Sequence, residues 1–176
     1  RTFPDPEPRT EQMRFAVASC QSYNQGFYTA YADMLTQKLD FVVHLGDYIY
    51  EGGPTSHPIA EGRSHRGGEL RTIADYRNRY ALYRLDPNLQ AAHAWLPFIV
   101  TPDDHEIDNN YVGLTPHEAS STQGEAFAAR RRIAYQAYAE SMPLRSENRF
   151  DPRSGRMQLF RRLRFGDLAD LHVLDP

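Results

Sequence analysis

The chain has 176 residues and a formal net charge of −3, with 20 basic and 23 acidic side chains. Its 19 arginines are scattered along the chain, so the charge distribution does not indicate a specific nucleic-acid reader. No run approaches the ~20 apolar residues that cross a bilayer, which argues against a membrane span. A single cysteine, Cys20, excludes a disulfide within the chain and any Cys-x-x-Cys site. The length is enough for one domain or for a substantial part of a larger one.

Several common catalytic and nucleotide-binding motifs are absent from the sequence. Lys38 is the one lysine and no glycine precedes it, so there is no Walker A loop. No Gly-x-Gly-x-x-Gly follows a predicted strand, which argues against a dinucleotide cofactor, and there is no Gly-x-Ser-x-Gly elbow. Gly26, not arginine, stands six residues after Cys20, so the loop of the cysteine phosphatases is missing. The segment from His105 to Asn109 lacks the second histidine of a zinc-protease helix.

The predicted elements begin after a proline-rich start. Residues 1–12 carry three prolines and mostly polar residues, which predicts an extended linker. Apolar runs predict buried strands at 13–19, 40–45 and 96–101. Apolar residues at helical spacing predict helices over about 27–39 and from Ile73 to Tyr83, with a long loop at 52–70 between them.

The second half of the chain continues this order of elements. A loop at 102–123 precedes a helix marked by Ala126, Ala129, Ile133 and Ala137, which ends near Ser141. Residues 157–165 and 168–175 alternate around Gly166-Asp167, which predicts a β-hairpin. Strands that alternate with helices predict a parallel α/β layer, and ligands bind such layers beyond the carboxyl ends of the strands.

Several charged and imidazole side chains are expected to be structural. His44 lies inside the second apolar strand and is predicted to be a core histidine whose ring is satisfied. His93 lies beside a tryptophan in a helical segment and is also predicted to be structural. His65 lies in the long loop without a partner pattern, and the run Arg130–Arg132 is expected to be a solvated helix face.

Groups that can bind a metal converge on the strand ends. The first strand ends at Cys20, the second at Asp47 and Tyr50, and the third at the segment 103–110. Adjacent carboxylates facing one site repel each other, and a bound cation removes that repulsion. A thiolate suits a transition metal, a tyrosinate suits iron, and amide oxygens suit calcium. The alternative is that these are acidic loops, with Cys20 as a small buried hydrophobe, Tyr50 as packing and Asp47 as a turn residue.

Three motifs together resemble the PhoD-like alkaline phosphatases and phosphodiesterases, a branch of the metallophosphatase superfamily. The matching segments are Phe15–Gln21, His44–Glu51 and Asp103–Asn110, supported by Asp75–Tyr80 and Leu89–His93. The resemblance covers about residues 13 to 175 and implies an α/β fold, part of a metallophosphatase-type sandwich with sheets flanked by helices. One departure is Pro102, where the family pattern has tryptophan; it removes no ligand.

The resemblance also implies roles for individual residues. Cys20, Asp47 and Tyr50 are expected to bind Fe(III), and Asp47 to bridge to a Ca²⁺ site. Asp104 is expected to be a ligand of the second site, Asn109 a weaker calcium ligand, and His105 the imidazole that faces the phosphate. The implied activity is hydrolysis of phosphate monoesters and diesters by a metal-activated hydroxide, outside the cytoplasm, either in the periplasm or as a secreted protein.

The resemblance places further ligands downstream of residue 176. Residues 13–176 are therefore expected to be the N-terminal portion of a catalytic domain, and the chain alone to be inactive. One alternative is a non-catalytic fragment or binding domain that keeps the fold without a working metal cluster. Another is a hydrolase that uses a single zinc ion.

Overall fold

The computed structural model describes residues 9–145 and 150–174. Strands β1 (Phe15–Ala18), β2 (Phe41–His44) and β3 (Phe98–Val100) form a parallel sheet in the order β1-β2-β3. Helix α1 (Thr29–Thr36) connects β1 to β2, and helices α2 (Ile73–Tyr83) and α3 (Pro87–Trp95) connect β2 to β3. The predicted parallel α/β layer is confirmed. Residues 1–8 of the predicted linker and residue 175 of the predicted last strand lie outside the described residues.

Capping side chains fix where two of the helices start. The hydroxyl of Thr72 accepts from the backbone N–H of Asp75, whose carboxylate accepts from the N–H of Thr72, so α2 begins with a capping box. Asp86 caps α3 through the N–H groups of Asn88 and Leu89, and Pro87 follows at the first helical position. The loop between β2 and the start of α2 therefore ends at a defined point. Helix α2 packs against helix α4 (Gly124–Ser141), and α1 packs against α3.

The main core lies among the helices and one side of the sheet and is rich in tyrosine. Its fully buried tyrosines come mainly from α2 and from the loop after β2, and they include Tyr48, Tyr76, Tyr80 and Tyr83. A smaller cluster joins the sheet to the C-terminal hairpin through Phe41, Ile99, Leu163 and Phe165. The expectation that the first strand is buried is wrong for the described residues, because β1 lies at the edge of the sheet. Phe15 and Val17 are 43% and 56% exposed.

The C-terminal hairpin is confirmed, but it is shorter than predicted. Strand β6 (Arg161–Phe165) pairs antiparallel with β7 (Ala169–Val173) around the predicted turn at Gly166-Asp167. The expected strand 157–165 is interrupted, because β5 (Arg156–Met157) pairs instead with β4 (Phe150–Asp151). Asp151 accepts from the N–H groups of Arg153 and Ser154, and Gly155 has φ +70°, so a separate tight turn forms here.

Helix α4 is confirmed, but its buried face is only partly the predicted one. Ala126 and Ala129 are exposed, and the buried side chains are Phe127, Arg130, Ala134, Tyr135, Ala137 and Tyr138. The prediction that Arg130 belongs to a solvated face is wrong. Its guanidinium lies 2.7 Å from Glu69 and 3.1 Å from Asp108, so burial is compensated by two carboxylates.

Some of the predictions for the histidines are confirmed and others are not. His93 is structural, as predicted, with Nε2 2.8 Å from the hydroxyl of Tyr48. His44 is buried, and its Nδ1 accepts from the N–H of Gly46 at 3.3 Å, but its Nε2 has no hydrogen-bond partner among the described residues. The ring is thus only half satisfied. His65 is buried, its Nδ1 lies 2.8 Å from the carbonyl oxygen of Gly52 and its backbone N–H donates to Asn24, and no sequence pattern indicated these partners. No helix in the described part of the chain is both long and apolar enough to cross a membrane.

Candidate metal centre

The ends of β1 and β2 leave the sheet through residues with left-handed backbone. Cys20 has φ +54°, Gly46 has φ +106° and Asp47 has φ +52°. The N–H of Cys20 donates to the carbonyl of Gly46, and the N–H of Gln21 donates to the carbonyl of Asp47, both at 3.1 Å. Aspartate tolerates this conformation better than most residues, whereas cysteine is rarely found in it. The two left-handed turns carry Cys20 and Asp47 to one edge of the sheet, as the strand-end argument predicts.

Gly46 also sets the distance between the ends of β2 and β3. A Cβ atom added there would lie 2.3 Å from the backbone nitrogen of Asp103 and 2.7 Å from the carbonyl carbon of Pro102. Only glycine permits that approach. The Asp47 segment and the 103–106 segment are therefore in backbone contact.

Three of the predicted site residues come together as a group that could hold a metal ion. Asp47, Asp104 and His105 each offer one ligand atom, and these atoms all lie within 4.8 Å of one another. Asp47 is 6% exposed, and its Oδ1 has no hydrogen-bond partner among the described residues. Burial raises the pKa of Asp47, while His105 and a hydrogen bond from Cys20 lower it. A buried carboxylate oxygen without a donor, next to a second carboxylate, fits a bound cation.

Cys20 and Tyr50 lie against the same carboxylate. The hydroxyl of Tyr50 donates to Oδ2 of Asp47 at 3.2 Å, and the Cys20 thiol lies near enough to both side chains to influence their pKa values. Burial raises the pKa of Tyr50, and the neighbouring Asp47 and Cys20 add to that effect. The structure thus places a thiol, a phenol and a carboxylate in mutual contact, although Cys20 is outside the group of three. A cation here would favour the ionised forms of the thiol and the phenol.

His105 is oriented by an acidic residue that the sequence analysis did not single out. Its Nδ1 lies 2.7 Å from Oε2 of Glu51, which is 7% exposed, and its ring is 4.3 Å from the ring of Tyr50. Burial lowers the pKa of His105, but the hydrogen bond and charge of Glu51, with Asp47 and Asp104, outweigh it and raise the pKa to about 9. Nδ1 of His105 is therefore committed to Glu51.

The remaining predicted residues shape the loop after β3. Asp104 accepts from the N–H of Asn110 at 2.5 Å through Oδ2, and its carbonyl accepts from Ile107 and Asp108. Asn109 is exposed, and its backbone N–H donates to Oε1 of Glu51 at 2.8 Å. Its role as a calcium ligand stays a prediction.

Glu106 is the second residue that the sequence analysis missed. Its carboxylate is almost completely buried and accepts three backbone N–H groups, from Asp47 at 3.0 Å, Tyr48 at 2.5 Å and Asp103 at 2.7 Å. Burial raises its pKa to about 8, while these three donors favour the anion. One side chain therefore ties the loop after β2 to the loop after β3.

The sequence indicated only in part that Glu51 and Glu106 are buried and hydrogen-bonded. Both acids stand inside the strand-end motifs next to apolar residues that are buried, such as Ile49 and Ile107. An acid in such a position needs donors, because a buried carboxylate without them is costly. Apart from the N–H of Asp103, the donors lie more than 50 residues away along the chain, so the sequence could not name them.

Known proteins resemble this chain in sequence and in structure. The PhoD-like phosphatase family model matches residues 15–176. Alkaline phosphatase D of Bacillus subtilis (strain 168) is 51% identical over an alignment of 177 positions, which covers 99% of this chain and 30% of that protein. A solved structure of PhoD matches with a TM-score of 0.89 and 49% identity, over 99% of this chain and 33% of that one. The chain thus spans about a third of the length of these relatives, and the predicted metallophosphatase-type α/β fold is confirmed. On these grounds the chain belongs to the PhoD-like phosphatase family.

Proposed function

We propose that the chain carries the N-terminal part of the catalytic domain of a metal-dependent phosphoesterase that hydrolyses phosphate monoesters and diesters. The observation that carries this proposal is the buried Oδ1 of Asp47, which has no donor within the described residues and lies beside the carboxylate of Asp104. Membership of the PhoD-like phosphatase family and 51% identity to an alkaline phosphatase D support the same reaction class.

The donor set fits two kinds of metal. Cys20, Asp47 and Tyr50 supply a thiolate, a carboxylate and a phenolate, which suit Fe(III). Asp104 and Asn109 supply oxygen donors that suit Ca²⁺, and we propose that Asp47 bridges the two sites. When bound, such metals lower the pKa of a water molecule to give a hydroxide at neutral pH and neutralise the phosphoryl oxygens.

Side chains of this chain other than the metal ligands would also contribute to hydrolysis. His105 is held by Glu51 at 2.7 Å, which leaves its Nε2–H to donate a hydrogen bond to a phosphoryl oxygen. Although burial lowers it, the pKa of His105 is raised to about 9 by Glu51, Asp47 and Asp104, and a protonated ring would oppose the charge that develops on the phosphoryl group. Glu106 keeps Asp47 in place through the backbone N–H of that residue. Hydrolysis would then depend on a rigid arrangement of charge rather than on a nucleophilic side chain.

Metal analysis of the dialysed full-length protein that contains this chain tests this proposal, with Cys20→Ala as the matched variant. We expect iron and calcium in the unaltered protein and loss of iron in the variant. Turnover of 4-nitrophenyl phosphate and of bis(4-nitrophenyl) phosphate should fall together with the iron content. Zinc alone would favour the single-metal hydrolase, and a protein without metal or turnover would favour a non-catalytic domain.

We also propose an extracytoplasmic location, in the periplasm or outside the cell. This proposal is supported by the family resemblance alone. Immunoblots of cytoplasmic, periplasmic and culture fractions from the producing cell test it, and a signal confined to the cytoplasm would contradict it.

A further inference from the structure

Helix α2 buries an arginine that the proposed reaction does not use. Arg79 is 2% exposed and belongs to the segment Asp75–Tyr80, which supported the family resemblance without receiving a role. A buried guanidinium is costly unless its donors are satisfied. The partners that Arg79 finds are backbone carbonyl groups of the loop after β2.

These carbonyl groups flank Glu51 on both sides. The Arg79 guanidinium donates through NH1 to the carbonyl oxygens of Tyr50 and of Gly52, the latter at 2.8 Å. His65 lies with Nδ1 2.8 Å from the same Gly52 carbonyl and with Nε2 2.9 Å from the hydroxyl of Tyr83. This network fixes the Tyr50–Glu51 and Gly52–Gly53 peptide units, one on either side of Glu51.

The two side chains on this fixed backbone are the ones that meet the candidate metal centre. Tyr50 donates to Asp47 at 3.2 Å, and Glu51 holds His105 at 2.7 Å. The backbone at 50–52 sets the direction of both side chains, and Arg79 donates hydrogen bonds to this backbone. We propose that Arg79 is a positioning residue of the metal centre, acting through the backbone of the Tyr50–Gly52 segment. The inference rests on the proposed function, because it takes the centre to bind metal.

A guanidinium is better suited than an ammonium group to holding the Tyr50–Gly52 backbone in position. Its planar fork presents several donors in fixed directions, whereas lysine offers a point charge on a flexible stem. The side chain also borders a cavity of about 430 Å³ that is lined by Gly67, Gly68, Asn78 and Leu82. A small cation from solution can therefore approach the place of the guanidinium if the side chain is removed.

The experiment compares metal binding by the unaltered protein, Arg79→Ala and Arg79→Lys, with Arg77→Ala as the matched control. Arg77 lies on the same helix, but it is half exposed and pairs with Glu140 at 2.7 Å on the surface. The dissociation constant for iron is measured at a temperature at which circular dichroism shows each variant to be folded. We expect a 10- to 100-fold weaker constant for Arg79→Ala, a smaller loss for Arg79→Lys and less than a twofold change for Arg77→Ala. Millimolar guanidinium should restore binding to Arg79→Ala and to no other variant.

The outcomes separate this inference from the proposed function. If Arg79→Ala melts at a lower temperature but binds iron as tightly as the unaltered protein, the residue is only structural and the inference is wrong. If Arg79→Ala does not fold, Arg79→Lys decides, and unchanged iron binding by that variant overturns the inference. If the unaltered protein binds no metal, the proposed function fails and this inference with it.

Discussion

Replacing Gly46 by alanine tests whether the close approach of two strand ends builds the metal centre. Left-handed backbone costs a residue with a side chain about 1–2 kcal/mol, and Gly46 has φ +106°. The new Cβ would lie 2.3 Å from the nitrogen of Asp103, where real contacts stay above 3.0 Å, so the strand ends must separate by about 0.7 Å. Overpacking of this kind costs about 1–3 kcal/mol. The expected total is about 2–5 kcal/mol of unfolding free energy.

Alanine variants of two other glycines separate the cost of the left-handed backbone from the cost of the steric contact. Gly62 has φ +76° with nothing within 4 Å of an added Cβ, so Gly62→Ala should lose only the backbone term of about 1–2 kcal/mol. Gly26 has open space and no left-handed φ, so Gly26→Ala should be neutral or stabilising by about 0.4–1 kcal/mol. Urea unfolding of the three variants measures these free energies, and a metal titration in the folded baseline measures the site.

The separation of the strand ends should be visible in metal binding. Only Gly46→Ala moves the Asp47 segment away from the Asp103 segment, so only this variant should lose metal affinity while it is still folded. If Gly46→Ala unfolds at the same urea concentration as Gly62→Ala and binds metal as tightly as the unaltered protein, the backbone contact does not build the site. The reasoning from Cβ geometry would then be refuted.

Three further predictions concern the core, the pH dependence and the length of the chain. Arg130→Met leaves the buried carboxylate of Asp108 without its ion-pair partner and should cost about 3–5 kcal/mol in urea unfolding. Arg131→Met loses a stacking contact on a tyrosine and should cost about 1 kcal/mol; equal costs would contradict the buried ion pair. Burial, with the charge of Arg79, lowers the pKa of His65 from 6.5 to about 4. The stability that this histidine contributes is complete above pH 6.5 and is lost as the pH falls through about 4, so the urea midpoint should fall over that range and less steeply in His65→Gln. The isolated 176-residue polypeptide should not hydrolyse 4-nitrophenyl phosphate, since the resemblance places further ligands downstream; turnover by it would contradict this.

The sequence was sufficient for the elements that depend on local order. Short apolar runs at 40–45 and 96–101 correspond to β2 and β3, and the polar residues after them lie together because parallel strands end at one edge. The turn at Gly166-Asp167 was also predictable, because it lies between two alternating segments.

The structural features that could not be predicted from the sequence depend on partners that are distant along the chain. The alanines of α4 are small on either face, so they did not mark the buried side, which is set by Phe127, Arg130 and Tyr138. Arg130 is buried because Glu69 and Asp108 converge on it from two loops. The interruption of the expected strand at 157–165 has the same origin, because β5 has its own partner in β4.

The carboxylate of Glu106 has a consequence for motion as well as for geometry. Because it accepts the backbone N–H groups of Asp47, Tyr48 and Asp103 together, none of these amides can open to solvent without disturbing the other two. Hydrogen exchange at the three amides should therefore share one opening event and one protection factor. The loops after β2 and β3 would then fluctuate as a single body, which keeps the relative position of Asp47 and the 103–106 segment constant while the surrounding surface moves.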